Sequence, residues 1–275
     1  MLKRITLAVL TTTALAAGAA HAADLPSRVA PAPMLPLPPA FTWSGFYVGT
    51  YSALISAENK ITTQGNAANT IGNVATGRRP AAIDDDRTGR LSGAQIGYNL
   101  QFGMFVAGVE ADIALANVTP KSVYVSPLAD VSYFRSDIDA FGTVRGRLGV
   151  ALDNVLIYAT GGLAGADITD RVAFFRNTDR AFQFVGKKSG VEYGYTVGGG
   201  VEIALPASLQ QYAFVGRLLG ATAVSIKAEY LYYDLGDRNV VVNNIPGVGV
   251  NSYTSNFERT GHIGKIGFNY RFGTM

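Results

Sequence analysis

Eight segments with the alternating pattern of β-strands constrain the fold of this 275-residue chain more than any other feature. Successive side chains of a strand point to opposite faces of its sheet, so a strand between two environments alternates apolar and polar residues. The alternation is clearest in the later segments, and the first and fifth are ambiguous in phase. Eight is an even number, as single-chain bacterial outer-membrane barrels require. The segments cover residues 43–56, 91–101, 105–116, 140–151, 155–165, 191–204, 223–234 and 260–272.

Hydropathy indicates the environment of these strands. Apolar residues make up 48% of the chain, and its mean hydropathy is positive. After Ala22, however, no stretch approaches the roughly 20 consecutive apolar residues that a membrane helix needs. Dispersed apolar character is typical of a transmembrane barrel, in which alternate side chains face lipid. We therefore predict an all-β fold, an eight-stranded antiparallel up-and-down transmembrane β-barrel over residues 43–272.

The connections between the segments alternate in length. We predict tight turns near Gly103 and at Asp153-Asn154, and long polar loops over residues 57–90, 117–139, 166–190 and 235–259. Outer-membrane barrels have short turns in the periplasm and long loops outside the cell. The connection 205–222 is longer than a tight turn, and it is either an ordinary insertion loop or a short amphipathic helix at the membrane surface.

The N-terminus has the pattern of a secretory signal peptide, predicted over residues 1–22. Lys3 and Arg4 precede an apolar stretch, which ends on the small-x-small triplet Ala20-His21-Ala22. A retained anchor helix is the alternative, but the basic flank that would stop transfer is missing. The chain has no cysteine, which excludes a lipoprotein anchor and a disulfide framework.

Residues 23–42 are predicted to form a proline-rich periplasmic linker, since such a stretch pairs poorly in a sheet. The linker holds six of the eleven prolines, namely Pro26, Pro31, Pro33, Pro36, Pro38 and Pro39.

The net charge excludes one class of partner. Without Lys3 and Arg4, the formal net charge falls from +3 to +1, so the charge gives no reason to expect nucleic-acid binding.

The polar faces of the strands carry four acids and five bases. Periodicity alone does not say which face is inside, and a soluble lipocalin-type barrel would enclose the apolar set. Aromatic residues near strand ends and the balanced charges favour a polar interior. Because an eight-stranded barrel is only wide enough for its own side chains and buried charges must be paired, we predict a filled polar core instead of an open pore. The predicted interior network is Glu110, Asp112, Arg145, Arg147, Glu202, Lys227, Glu229, Lys265 and Arg271.

No catalytic constellation, metal site or cofactor site is predicted. His262 is the only histidine after the signal peptide, no serine partner for it is recognisable, and an interfacial histidine is the simpler interpretation. The run Asp84-Asp85-Asp86 either binds a divalent ion that bridges lipopolysaccharide phosphates or is a solvated cluster, which its lack of fixed geometry favours. Arg78 and Arg79 either meet those phosphates or lie free in water.

Several runs resemble the alphaproteobacterial eight-stranded outer-membrane β-barrel proteins, a family of opacity-like and porin-like major surface proteins. They are Ala23–Pro26, Phe41–Gly49, Thr143–Gly149, Leu156–Ala164, Gly194–Glu202 and Lys227–Tyr232. The resemblance implies an abundant surface protein that supports envelope integrity, with members linked to host interaction and some to haem. Haem is assigned no residue here, although Tyr124, Tyr133 and Tyr253 offer ligands in principle.

The resemblance also implies an insertion signal at the C-terminus. Family members usually end on an aromatic residue that the barrel-insertion machinery reads. Here Phe268, Tyr270 and Phe272 have the expected alternation, but Gly273-Thr274-Met275 follow them.

The expected function is that of a structural surface protein in the cell outer membrane, which leaves a role in host or environment interaction open. The alternative is a narrow channel for ions or small solutes. The expected partners are outer-membrane lipid, lipopolysaccharide and the barrel-insertion machinery; the oligomeric state is not predicted.

Overall fold

The structure, a computed structural model, describes residues 41–118, 121–176, 182–206, 208, 218, 220–245 and 251–272. The predicted signal peptide, residues 23–40 of the linker, most of the connection 205–222 and the last three residues lie outside this part. Nine strands and one helix lie within the described residues. They are β1 (Gly45–Gly65), α1 (Ala68–Ala75), β2 (Ala82–Phe102), β3 (Phe105–Val118), β4 (Lys121–Val125), β5 (Val131–Leu152), β6 (Val155–Phe175), β7 (Phe182–Ala204), β8 (Ala223–Asn244) and β9 (Ser252–Phe272).

The strands form one closed antiparallel ring. Each long strand pairs with its neighbours in sequence, and β1 pairs with β9 to close the sheet. β3 and β4 both pair with β5, one after the other, since Val118 lies opposite Ile138 and Lys121 opposite Arg135. Nine strands therefore fill eight positions, and the predicted eight-stranded up-and-down barrel is confirmed.

The strands are much longer than the alternation predicted. Apart from β3 and β4, each has 21 to 23 residues, whereas about 9–11 tilted residues cross a bilayer. The four predicted long loops are therefore wrong for most of their length, because β-ladders continue through them. In these parts many outward side chains are polar or charged, so the hydropathy alternates less strictly although the pairing continues. α1 lies between β1 and β2, and no helix in the described ranges is long and apolar enough to span a membrane.

The outer surface of the barrel divides into two halves. We call the end with the β2–β3 and β5–β6 turns the near end, and the opposite end the far end. Outward side chains of the near half are apolar, for example Phe105, Ile113, Leu148 and Ile266. In the far half the outward positions of β1, β2 and β9 carry charged residues, and the apolar half has the surface that a bilayer requires.

The interior is layered along the barrel axis, and β9 passes every layer. From the near end, its inward side chains include Arg271, Asn269, Lys265, Ile263, Arg259 and Phe257. We call the cluster that contains Trp43 the near apolar layer, that with Ile263 the middle apolar layer and that with Phe257 the far apolar layer. Charged side chains fill the two spaces between these layers.

Candidate functional site: the charged barrel interior

The nine side chains of the predicted network lie together inside the near half, between the near and middle apolar layers. All are at least nine-tenths buried. Strand pairing places opposite charges directly across from each other: Glu110 faces Arg145, Glu202 faces Lys227 and Glu229 faces Lys265. The alternation in β3, β5, β7, β8 and β9 thus directs all these side chains inward, and we call them the near charged network.

Arg145 lies at the centre of three carboxylates. Its Nη2 is 2.6 Å from Glu110 Oε1 and 3.0 Å from Asp112 Oδ2. Its Nη1 is 3.0 Å from Glu229 Oε1. A guanidinium is planar and donates in several directions, so it can join carboxylates from separate strands. Arg145 on β5 therefore connects β3 to β8 across the barrel.

Two lysines neutralise the remaining charge of these carboxylates. Lys227 Nζ donates to both Glu110 oxygens, at 2.8 and 3.0 Å. Lys265 Nζ lies 3.0 Å from Asp112 Oδ1 and 3.8 Å from Glu229 Oε1. Because each carboxylate has at least two cationic neighbours, the cost of burying its charge is offset.

Glu202 forms a second centre nearer the near end. Arg271 Nη2 lies 2.6 Å from its Oε1, and Arg147 Nη2 lies 3.0 Å from its Oε2. Asn269 and Ser225 also donate to Oε1, at 2.9 and 2.5 Å. Arg271 stacks on Trp43 at 4.5 Å and donates to its carbonyl, which joins the charged network to the near apolar layer.

Three tyrosines complete the network, and sequence reasoning missed them. Tyr47 donates to Glu110 Oε2 at 2.8 Å and accepts from Arg147, while Tyr51 donates to Asp112 at 2.7 Å. Tyr158 donates to Glu229 Oε2, also at 2.8 Å. They lie on β1 and β6, the strands whose phase was ambiguous. The spacing of four between Tyr47 and Tyr51 places both on one face, a signal that could have been used.

A second set of buried charges, the far charged network, lies between the middle and far apolar layers. Arg259 Nη2 lies 2.6 Å from Asp170 Oδ1, and its Nη1 lies 2.5 Å from Glu192 Oε2. Arg238 Nε lies 2.6 Å from Glu192 Oε1. Ser136 donates to Asp170 at 2.6 Å. Sequence reasoning missed this set because four of the five residues fell in predicted loops, and Glu192 lay at the start of a predicted strand without a recognised partner.

The middle apolar layer separates the two charged networks. Ile168, Leu231 and Ile263 are fully buried in it. Phe141 packs edge-on against Tyr233, with ring centroids 5.3 Å apart. Within the described part of the barrel, the polar interior is therefore interrupted by apolar side chains that reach across from several strands.

The structure bears on the alternatives left open for the acidic run and for the arginine pair. Asp85 points inward and pairs with Arg87 at 3.0 Å, whereas Asp84 and Asp86 point outward, so the three carboxylates do not converge. No group of three or more possible metal ligands occurs among the described residues.

Arg79 is not available to phosphates, because it is 1% exposed and donates to the Phe175 carbonyl. Arg78 is half-exposed and pairs with Asp130 at 3.3 Å.

His262 lies on the outer surface of β9, directly opposite Ser56 of β1. Its Nδ1 is 2.6 Å from the Tyr230 hydroxyl, and its Nε2 is 3.6 Å from Glu58 Oε1. A serine nucleophile needs a hydrogen bond to its base, and both ring nitrogens of His262 face other groups. The pair Ser56–His262 therefore lacks the geometry of a catalytic dyad in this structure.

The remaining predicted positions differ in exposure. Tyr253 is fully buried, Tyr124 donates to the Gly77 carbonyl, and Tyr133 is exposed. Of the predicted insertion signal, Phe268 is exposed, and Tyr270 and Phe272 are half-buried. All three lie on the outer surface of β9 at the near end.

Comparisons with known proteins support the same kind of barrel. The 31 kDa outer-membrane immunogenic protein of Brucella melitensis is 28% identical, over 94% of this chain and 96% of that protein. The 22 kDa outer membrane protein of Rhizobium leguminosarum bv. viciae is 28% identical, over 74% of this chain and 70% of that protein. No protein-family model matches the chain.

A solved structure shows the fold independently. The crystal structure of the outer membrane protein OprG from Pseudomonas aeruginosa has a TM-score of 0.51 and 14% identity, and the match covers 84% of this chain and 97% of OprG. The resemblance to alphaproteobacterial outer-membrane barrel proteins and the location in the outer membrane are thereby confirmed.

Proposed function

We propose that this outer-membrane protein is a closed structural barrel. Its two charged networks hold the strands together and its apolar layers block solutes. Its far half presents a rigid surface outside the cell. The layered interior is the observation that carries the proposal, because a hydrated ion would have to lose its water to cross the middle apolar layer.

The strand lengths support the surface role. In outer-membrane barrels the short turns lie in the periplasm, so the near end would face the periplasm and the far end the outside. About half of each long strand then stands beyond the bilayer as paired sheet instead of flexible loop. A paired, packed sheet offers partners a fixed surface, which suits a protein that supports the envelope or meets a host.

The structural role is proposed as non-enzymatic. The outer surface carries His262 and Ser56 without a hydrogen bond between them, and the interior carboxylates are buried and each pair with at least one cation. A general base must lie within reach of its substrate, and a substrate in the surrounding solvent does not reach these buried, ion-paired groups. We propose outer-membrane lipid and lipopolysaccharide as the surroundings of the apolar half.

A narrow channel is the second candidate, favoured by one observation. Both polar atoms of the Asn99 side chain and the Gln95 Oε1 are buried without a hydrogen-bond partner in the described residues. Such groups are usually satisfied by internal water, so the near half would hold some. A channel would require this water to continue past the middle apolar layer.

Single-channel recording in planar bilayers tests the closed barrel. We expect no conductance steps from the native protein. Ile263→Ala, which thins the middle apolar layer, and the pair Arg147→Ala and Glu229→Ala, which opens the near charged network, should leak. The matched control is Ile266→Ala, the outward isoleucine three positions away on the same strand. Steps in the native protein whose selectivity changes in the Arg147 and Glu229 variants would establish the channel instead.

A further inference from the structure

Four cations form a straight row across the outer surface of the far half. In register, Lys121 of β4 lies opposite Arg135 of β5, Arg135 opposite Arg171 of β6, and Arg171 opposite Lys187 of β7. All four occupy outward positions. We call this set the cationic row. Side chains at directly opposed positions lie about 4.5–5.5 Å apart at Cβ, so four like charges are held close together.

The cationic row is only partly neutralised. Arg135 pairs with Asp137 at 2.9 Å. Lys121, Arg171 and Lys187 form no ion pair with any residue in the described ranges. Like charges placed opposite each other destabilise a sheet. A bound anion would relieve this repulsion. The close spacing of the cations therefore favours an anion-binding role over a purely structural one.

An aromatic groove adjoins the row on its far side. The groove has a volume of about 790 Å³, and three members of the row, Lys121, Arg135 and Arg171, line it. The lining also includes three aromatic side chains, Tyr133, Phe175 and Phe182. Tyr133 and Phe175 pack edge to face at 5.2 Å, and Phe175 and Phe182 lie 4.2 Å apart. Flat apolar rings therefore lie next to the cations, with Tyr133 and Phe182 about half-exposed.

The opposite side of the far half has the reverse charge. There Glu258 lies opposite Asp237 and Lys60, and Lys60 lies opposite Asp84. Glu58 and Asp86 form the neighbouring outward pair. This acidic side would repel the ligands that the cationic row attracts. The row is therefore a local feature and does not reflect a generally basic surface.

We propose that the cationic row and the adjoining groove bind an anionic oligosaccharide, namely the phosphorylated sugar chains of the lipopolysaccharide around the barrel. Arginine binds phosphate and carboxylate with paired donors, and the aromatic rings accept the apolar faces of sugar rings. The row lies beyond the apolar band, so it meets sugars and not acyl chains. The inference depends on the proposed outward direction of the far end, but not on the barrel being closed.

Binding of a soluble probe tests this site. Full-length protein is folded in detergent, and phosphorylated core oligosaccharide freed of its lipid is titrated by calorimetry, beside the same sugar after dephosphorylation. The triple variant Arg135→Gln, Arg171→Gln and Lys187→Gln should bind at least about tenfold more weakly. Lys60→Gln, which removes the cation of the acidic side, should bind like the native protein. Added salt should weaken native binding more than binding by the triple variant.

The outcomes are separable. Heat-modifiable electrophoretic mobility shows that each variant is a folded barrel. We expect the triple variant to fold, because it loses repulsion between like charges and one partly exposed ion pair, Arg135–Asp137, which contributes little. Equal affinity of native protein and triple variant, or of phosphorylated and dephosphorylated sugar, overturns the proposal. If the native protein binds no sugar but forms oligomers that the triple variant does not, the row contacts the acidic side of a second copy, which also overturns it. We expect these outward substitutions to leave conductance unchanged, so failure of this proposal is distinct from failure of the closed barrel.

Discussion

Arg145 and Glu110 face each other across β3 and β5, with Nη2 and Oε1 2.6 Å apart and both side chains fully buried. Removing one member of a buried ion pair leaves the other without compensation, which typically costs about 3–5 kcal/mol. Arg145 compensates three carboxylates, so we expect Arg145→Ala to lower the free energy of unfolding by at least that amount. Denaturant unfolding in lipid vesicles measures it.

The control for this prediction is Arg90→Ala, since Arg90 points outward on β2 and is exposed. Surface arginines contribute about 0–1 kcal/mol. A loss below about 1 kcal/mol for Arg145→Ala, similar to that of Arg90→Ala, would mean that water and the two lysines replace the guanidinium.

The tyrosine hydroxyls allow a finer test of the near charged network. Tyr51→Phe removes the hydroxyl that donates to Asp112 while keeping the ring that Lys265 contacts at 4.5 Å. A hydrogen bond to a charged group contributes about 1.5–3 kcal/mol, and we expect a loss of unfolding free energy in that range. Tyr230→Phe on the outer surface is the matched control. Equal losses for the two variants would contradict a specific role of the buried hydroxyl.

The near half could be predicted from sequence because lipid on one side and charge on the other give a strict alternation. Glu110 and Asp112, two positions apart on β3, point to the same side by this rule alone. Their exact partners could not be predicted, because Arg145 reaches Glu229 across the barrel through side-chain length and strand register. Tyr47 and Tyr158 were missed since glycines and small residues in β1 and β6 blur the phase.

The far half could not be predicted for a physical reason. Many outward positions there are polar, so an outward Arg171 and an inward Asp170 are both charged and little alternation remains. A residual signal lies in β9, where the inward Tyr253 and Phe257 share one face and the polar residues 254, 256 and 258 occupy the other. A search for such partial alternation would have extended this strand to positions before residue 260.

The predicted insertion signal at the near end of β9 can be tested in cells. Phe268, Tyr270 and Phe272 lie on the outer surface, as a signal read before the barrel closes requires. We expect Phe272→Ser to reduce the amount of heat-modifiable barrel in the outer membrane and to leave unfolded chain in the periplasm. Phe105→Ser, at an exposed aromatic position of β3 near the same end, is the control. Equal loss in both would point to lipid contact instead of recognition.

The middle apolar layer should also contribute to stability. Leu231 is fully buried in it, and a buried Leu→Ala change typically costs about 2–5 kcal/mol. Leu163→Ala is the contrast, because Leu163 faces outward and lipid can fill the space that it leaves. We expect a clearly larger loss of unfolding free energy for Leu231→Ala, measured in the same vesicles. A smaller loss would mean that the layer is loosely packed, which would also weaken the closed barrel.

The far charged network predicts that the two halves can be destabilised separately. Arg259 joins Asp170 of β6 to Glu192 of β7, and Arg259→Gln leaves both carboxylates buried with less positive charge nearby. Because local opening depends on local contacts, amide hydrogen exchange should become faster in the far parts of β6, β7 and β9, while the near half keeps its protection. Arg171→Gln, an outward change on β6, should leave exchange unchanged. Faster exchange throughout the barrel would instead mean that both halves unfold as one unit. In that case the far half would be stabilised by the strands that continue into it from the near half, and not by its own buried charges.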